Sequence, residues 1–351
     1  MRGINITEGI IRHSSELDRY YTGSVNNLAK YKLTTGDLVI GMDGSKVGRN
    51  SAIVSLTENG SYLVQRVCRI KSCIGNDFLL QLVNNHKFHK YVDMVKTSSA
   101  IPHISLKDIQ NFPIAVPSIQ KEADKISRLF HLLDERIATQ NKIIEDLKRL
   151  KSAIMEEHYR QTEKNEVCVA DLGNHFNVGN LAKDDLSETG KPCIIYGELF
   201  TTYGEIISQI ESHTNKTEGM ILSKKGDLLF PSSTTVDAIS LIAPSVINVD
   251  NVILGGDIFG IHISHNYNAQ YLSYYFNHIA KKQLAKFAKG STIIHLHYTD
   301  IEKAKLLLPS LEEQNRMAKC LVALDKKVSV EQDLLSSLTC QKSYLLQQMF
   351  I

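Results

Sequence analysis

Two stretches of the chain place apolar residues at alternating steps of three and four, or at multiples of seven. The first carries Phe130, Leu133, Ile137, Ile144, Leu147 and Ile154. The second carries Leu321, Leu324, Val328, Leu335, Leu338 and Leu345. That spacing is a heptad seam, in which apolar side chains recur on one face of a helix and pack against a second helix. Neither 119–160 nor 311–351 contains a glycine or proline. Ser118 offers an N-cap, and Ser310 does the same ahead of the first-turn acids Glu312 and Glu313. Both seams break at matching rungs, Gln140 with Glu331 and Lys151 with Lys342. The pattern predicts two helices of about 40 residues, each about 60 Å long, which exceeds the face of a domain of about 120 residues. The expectation is an antiparallel pair that spaces two domains.

The rest of the chain reads differently. Short β-type runs occur at Leu38–Ile40, Tyr62–Val64, Val67–Ile70, Leu228–Phe230 and Ile258–Ile263. A helix is expected after the strands in each half, around Asn76–Val95 and Asn268–Ala288. The fold class is α+β: two globular domains joined by a pair of long antiparallel coiled-coil helices, with an internal pseudo-two-fold repeat. The expected boundaries are 1–117 for the first domain, 118–165 for the central spacer helix, 166–309 for the second domain and 310–351 for the C-terminal spacer helix.

The repeat is explicit. Ser99–Ile104 resembles Ser291–Leu296, Asp108-Ile109 resembles Asp300-Ile301, and Pro117-Ser118 resembles Pro309-Ser310, each 192 positions apart. Leu133-Asp134 and Leu324-Asp325, like Lys151-Ser152 and Lys342-Ser343, lie 191 apart; Gly36-Asp37-Leu38 and Gly226-Asp227-Leu228 lie 190 apart. Such a constant offset marks a duplicated unit. The second copy has an opening segment, from Val167 to near Ile195, ahead of Tyr196-Gly-Glu-Leu199. The first copy begins near the equivalent point, at Arg2-Gly-Ile-Asn5. Roughly 30 residues of the repeat have no counterpart there. The expectation is a first domain lacking core strands, less stable and impaired in its function, unless upstream residues or another copy supply them.

Composition adds constraints. The 351 residues are 43% hydrophobic and 22% charged, with a net charge of only +2, so any nucleic-acid surface must come from local clustering of Lys and Arg. Six scattered cysteines (Cys68, Cys73, Cys168, Cys193, Cys320, Cys340) form no C-x-x-C pair. With no signal peptide or membrane span expected, they read as reduced thiols in a cytoplasmic protein. His295 and His297 sit two apart, as structural residues on a strand would, and no metal site is expected. No phosphate-binding P-loop, nucleophile elbow or base-methylation motif occurs, and no catalytic residue is assigned.

Candidate DNA contacts come from loops and basic clusters. Gly41–Arg49 follows a strand and supplies Ser45, Lys46 and Arg49; its counterpart is the hydroxyl-rich run Ser232, Ser233 and Thr234. Glycine allows close backbone approach, while Ser, Thr, Lys and Arg donate to phosphates and base edges. Ser98 and Ser99, and in the second copy Ser291, lie in loops between helix and strand. Arg66, Arg69 and Lys71 alternate along one strand. Lys87, Lys90 and Lys96 in one copy match a basic cluster at Lys281, Lys282, Lys286 and Lys289 in the other, of which Lys286 and Lys289 are the nearest to the loop.

At this point the order of motifs resembles a known family. Two domains opened by Thr34-Thr-Gly-Asp-Leu38 and Lys224-Lys-Gly-Asp-Leu228, two closing stretches at Ile114–Glu122 and Leu307–Gln314, and the terminal Leu345–Ile351 resemble the specificity subunit of type I restriction-modification enzymes. The resemblance covers essentially the whole chain. It implies two target-recognition domains, each reading half of a bipartite, asymmetric site in double-stranded DNA. It further implies a helix pair that sets the spacer and docks two methyltransferase subunits, and motor-nuclease subunits that join for restriction. Cofactors would then sit in the partners, S-adenosylmethionine, ATP and Mg, with none in this chain and no membrane association. Two other classes remain open on the residues alone: a free-standing DNA-acting enzyme and a coiled-coil protein scaffold.

Overall fold

The computed structural model describes residues 1–7, 9–64 and 66–350. Ile351, the end of the predicted second helix and of the terminal motif, lies outside the described residues. The chain divides into two compact units, Met1–Ile143 with Glu331–Ile351, and Ile144–Val330. Two long helices run through the division: the central helix Gln120–Gln161 (42 residues) and the C-terminal helix Leu311–Met349 (39 residues).

In the first unit, β1 (Leu38–Gly41) is the middle strand of an antiparallel sheet, between β2 (Ser51–Ile53) and β3 (Val67–Ile70). The turn into β1 explains the Gly-Asp-Leu motif. Gly36 takes φ +88°, open to glycine at no steric cost, and Asp37 accepts a hydrogen bond from the Thr34 amide at 2.8 Å. Leu38 and Ile40 are fully buried and join a core with Phe78, Phe88, Phe130 and Phe350. Here the two long helices run antiparallel. Phe130 faces Phe350 at 5.9 Å between ring centroids, Lys342 Nζ meets Asp134 at 2.5 Å, and Gln140 Nε2 donates to the Glu331 carbonyl at 3.0 Å and to its carboxylate.

In the second unit, two five-stranded sheets form the domain. One has β6 (Asp227–Pro231) in the middle, flanked by β7 (Ser245–Ile247) and β8 (Ile258–Ile263); Ile206–Ile207 and β5 (Gly173–Asn177) are its edges. The other runs Ile221–Leu222, Ile253–Gly255, Lys191–Ile195, Ser212–Thr214, Leu186–Ser187. A separate two-stranded pair joins β4 (Asn165–Cys168) to β9 (Lys305–Leu308). The turn into β6 repeats the device of β1: Gly226 at φ +93° and Asp227 accepting from the Lys224 amide at 2.8 Å. The registers repeat too. Leu38 pairs with Ile70 as Leu228 pairs with Ile261, and Ile40 with Cys68 as Phe230 with Phe259. Within this unit the long helices are again antiparallel, His158 reaching Glu313 at 3.1 Å and Lys151 reaching Asp325 at 2.8 Å.

Every seam position is buried or half-buried: Phe130, Leu133, Ile137, Ile144, Leu147 and Ile154 on one helix, and Leu321, Leu324, Val328, Leu335, Leu338 and Leu345 on the other. The polar rungs Gln140, Glu331 and Lys151 are buried as well, which a solvated face would not require.

Three local expectations are corrected. Tyr62–Val64 is not a strand; only Tyr62 bridges Lys32. The helix expected over Asn76–Val95 breaks into Asn76–Val83 and His86–Val95, because the Asn85 side chain turns to cap the Lys87 amide at 2.9 Å. The helix expected over Asn268–Ala288 starts at Ala269, capped by Asn268, and is interrupted by a π-turn at Phe276–Ala280 and a 3₁₀ turn at Ala285–Phe287.

The two units differ in sheet content, three paired strands in the first unit's main sheet against five in the equivalent sheet of the second. Fewer strands bury less apolar surface and leave more backbone open to local unfolding. Limited proteolysis is therefore expected to cleave within 1–117 before 166–309. Equal resistance of the two segments contradicts this.

Candidate nucleic-acid interface

Both units assemble the same pair of loops. In the first, the turn after β1 is held to the loop after the second short helix by a bridge between Asp43 and His103, with the Gly44 amide donating to the Pro102 carbonyl at 3.0 Å. In the second, Ser233 pairs with His295 and Thr234 with Ile294, and the Leu296 amide donates to the Ser232 carbonyl at 3.0 Å. Asp43 and Ser233 are repeat counterparts, as are His103 and His295, so one contact has been kept through the duplication.

Glycines shape these loops. Gly48 has φ +72°, and a Cβ there would come within 2.8 Å of the Val92 side chain. Gly290 has φ +115°, and its Cβ would fall 2.1 Å from the Ile293 carbonyl oxygen. Neither position accepts another residue without moving the backbone.

On this frame the polar side chains are distributed as follows. Ser45 and Lys46 are exposed at the tip of the first loop, and Ser98 and Ser99 at the tip of the second, where Ser99 Oγ donates to the Ile101 carbonyl at 2.7 Å. Arg49 is tied to Asp93 at 2.6 Å, and Lys96 holds the same carboxylate at 2.7 Å. The Lys96 hydrogen bond, joined by the charge of Arg49, keeps the Asp93 carboxyl below its ordinary range. In the second unit, Ser233 Oγ donates to Asp257 at 2.6 Å, Ser232 and Thr234 are half-buried beside it, and Ser291 and Lys286 are exposed. Lys289 reaches Asp300 at 2.5 Å, a contact that keeps that carboxyl low.

The strand cluster separates. Arg69 lies in β3, but its guanidinium donates to the carbonyls of Lys30 and Lys32 at 3.0 and 2.7 Å, a structural use. Lys71 follows the strand and sits 3.4 Å from the buried Asp37. Arg66 precedes the strand, is exposed, and holds φ +70°. Non-glycine residues rarely adopt that conformation, and it concentrates at functional positions. The second unit repeats the Asp37–Lys71 contact with Asp227 and His262, 2.6 Å apart.

Beside the second loop pair lies a cleft of about 750 Å³, lined among others by Tyr196, Ser233, Thr234, Asn277, Lys281 and His295. The sequence reading missed Tyr196 and Asn277, and treated His295 as one of a pair on a strand. Only His295 is in a strand; His297 is the N-cap of a short helix. The signal that could have marked His295 was its repeat partner His103. Among the described residues, no group of three or more His, Cys, Asp or Glu is placed to hold a metal ion, and no helix is long and apolar enough to cross a membrane.

Against known families, residues 4–149 and 162–339 match the type I restriction modification DNA specificity domain. The chain belongs to this family. Two specificity domains thus account for both copies of the repeat. Among curated relatives, the type I restriction enzyme MjaVIII specificity subunit of Methanocaldococcus jannaschii is 24% identical over 259 residues, 66% of this chain and 60% of the relative. The putative MjaX specificity subunit of the same organism is 23% identical over 332 residues, 87% of this chain and 75% of the relative. The alignment to MjaVIII thus spans under two thirds of that protein's length. Among solved structures, the type I restriction-modification S subunit from M. genitalium superposes with TM-score 0.62 at 16% identity, covering 100% of this chain and 91% of that one. A chain from a structure of type I system assembly and conformational transition superposes with TM-score 0.56 at 15% identity, covering 90% and 82%. These likenesses establish a shared specificity-domain fold.

Proposed function

We propose that the chain is a non-catalytic DNA-specificity subunit of a type I restriction-modification system. The observation that carries this reading is the loop pair, built twice with one conserved bridge, in a chain whose two halves both match the specificity-domain family. Each domain reads one half of a bipartite, asymmetric duplex site. Tip residues Ser45, Lys46, Ser98, Ser99 and Ser291 approach the DNA with the exposed Arg66 and Lys286. Arg49 and Lys289 exchange their carboxylate partners for phosphates, while Ser232, Ser233 and Thr234 line the second reading surface.

The antiparallel helices act as the spacer. At 1.5 Å per residue, helices of 42 and 39 residues run about 60 Å, enough to bridge half-sites about 34–36 Å apart. Methyltransferase subunits dock on the helical region and carry S-adenosylmethionine; motor-nuclease subunits carry ATP and Mg.

Arg66→Ala is expected to weaken binding of DNA bearing the first domain's half-site by about 1–3 kcal/mol, leaving the other half-site's discrimination intact. The test is competition binding at fixed salt, with the methyltransferase present, against DNAs mutated in each half-site. Equal loss on every sequence makes Arg66 a phosphate contact. Cleavage of DNA by the purified chain alone favours a free-standing enzyme, and no DNA binding favours a protein scaffold.

A further inference from the structure

The second unit contains two strands whose partners have no equivalent in the first. Its β8 is paired on both sides, with β6 and with β5 (Ile261 opposite His175). Its β9 is paired with β4. Between β4 and β5 the chain forms a short turn, Val169–Leu172, whose two ends are fully buried. The Val169 and Ala170 amides donate to the carbonyls of Ala304 and Glu302 at 3.1 and 2.9 Å. Residues Asn165–Asn177 thus form one strand–turn–strand piece that completes this unit.

In the first unit the counterparts of β8 and β9 are β3 and Pro113–Val116. β3 is an edge strand, paired only with β1 among the described residues. Pro113–Val116 is in no strand. The consequence for burial is large: Leu306 and Leu308 of β9 are 0% and 1% exposed, whereas their counterparts Ile114 and Val116 are both 47% exposed. A cavity of about 380 Å³ lies between these two segments, bounded by Cys68, Arg69, Ile70 and Lys71 on one side and Phe112 and Ile114 on the other. It occupies the place that Val169 and Leu172 fill in the second unit. Phe112, standing where the second copy has Ala304, narrows it and packs on Phe88 at 5.0 Å.

We infer that this edge and cavity of the first unit are a docking site for an extended segment of a separate polypeptide, of the chemistry of Asn165–Asn177. Such a segment pairs one strand with β3 and the other with Pro113–Val116, and inserts two apolar side chains spaced like Val169 and Leu172 into the cavity. An unpaired edge strand beside an apolar recess is the arrangement that accepts an added strand, with backbone bonds supplying affinity and the recess supplying selectivity. The repeat supplies the identity of the occupant, because the same chain shows what sits at this position when it is filled.

The experiment adds a synthetic peptide of residues 165–177, with C168S to prevent oxidation, to the full chain and follows hydrogen exchange and binding. The expected result is saturable 1:1 binding, with amide exchange slowed about tenfold or more at residues 67–71 and 113–116. A peptide carrying L172D, or the chain carrying I114D at its already exposed position, is expected to bind at least about tenfold more weakly. Absence of binding overturns the inference. So does protection confined to 258–263, which reports displacement of the second unit's own strand, or dimerisation of the chain that protects 67–71 before peptide is added.

Discussion

Lys151→Met is expected to lower the unfolding free energy of the Ile144–Val330 unit by about 3–5 kcal/mol, the range for removing one partner of a buried ion pair. Lys151 Nζ lies 2.9 Å from both carboxylate oxygens of Glu205 and 2.8 Å from Asp325, with its side chain only 10% exposed. Tyr274 donates its hydroxyl to Asp325, and His278 Nε2 meets Glu205 at 3.0 Å. Removing the ammonium leaves two carboxylates in low dielectric with less compensation. Burial pushes the Glu205 carboxyl up, but the hydrogen bond from His278 and the charge of Lys151 outweigh it and hold the group at about 2. Because that value lies below the ordinary carboxyl value of 4.5, Glu205 contributes stability that is fully present above about pH 4.5 and is lost as the pH falls towards about 2. Thermal unfolding of Glu205→Gln beside the parent chain measures this. The gap between them should be wide at pH 7 and narrow steadily below pH 4.5. A gap independent of pH contradicts the assignment.

Phe130→Ala is expected to destabilise the other unit by about 3–5 kcal/mol, the range for truncating a buried aromatic. Phe130 is fully buried and touches Phe350 from the opposite helix, which in turn packs 5.3 Å from Phe78 of the domain. One side chain therefore links the helix pair to the domain core. Urea unfolding followed by a probe in 1–117 reports the loss. A change below about 1 kcal/mol means that the helix packs independently of the domain.

Much of this architecture was legible in the residues. The heptad spacing and the absence of Gly and Pro gave both long helices, since periodicity and helix breakers act locally. The constant offset gave the duplication, and Gly36-Asp37 with Gly226-Asp227 owe their recurrence to a turn that needs both a positive φ and a buried acceptor. The sequence also marked Gln140 and Glu331 as equivalent rungs, though not that they hydrogen-bond to each other. That contact depends on the register of two segments 191 residues apart.

Tertiary contacts decided what stayed hidden. Asn85 ends a helix by capping the next one, a choice that helix propensity alone does not reveal. Arg69 looked like a DNA contact by alternation, yet its guanidinium is taken by the carbonyls of Lys30 and Lys32. Arg66 looked the same and differs in being exposed with a strained backbone. Tyr196 and Asn277 reach the cleft from segments with no local motif, so nothing near them in the chain announced it.

The most direct measurement maps methylated bases in DNA from cells carrying this chain with its partner methyltransferase. Two short defined sequences separated by an unspecified spacer of constant length are the predicted result, with substitution of exposed loop residues in one domain altering one of the two sequences. A single contiguous target, or no dependence of the methylated sequence on this chain, contradicts the account.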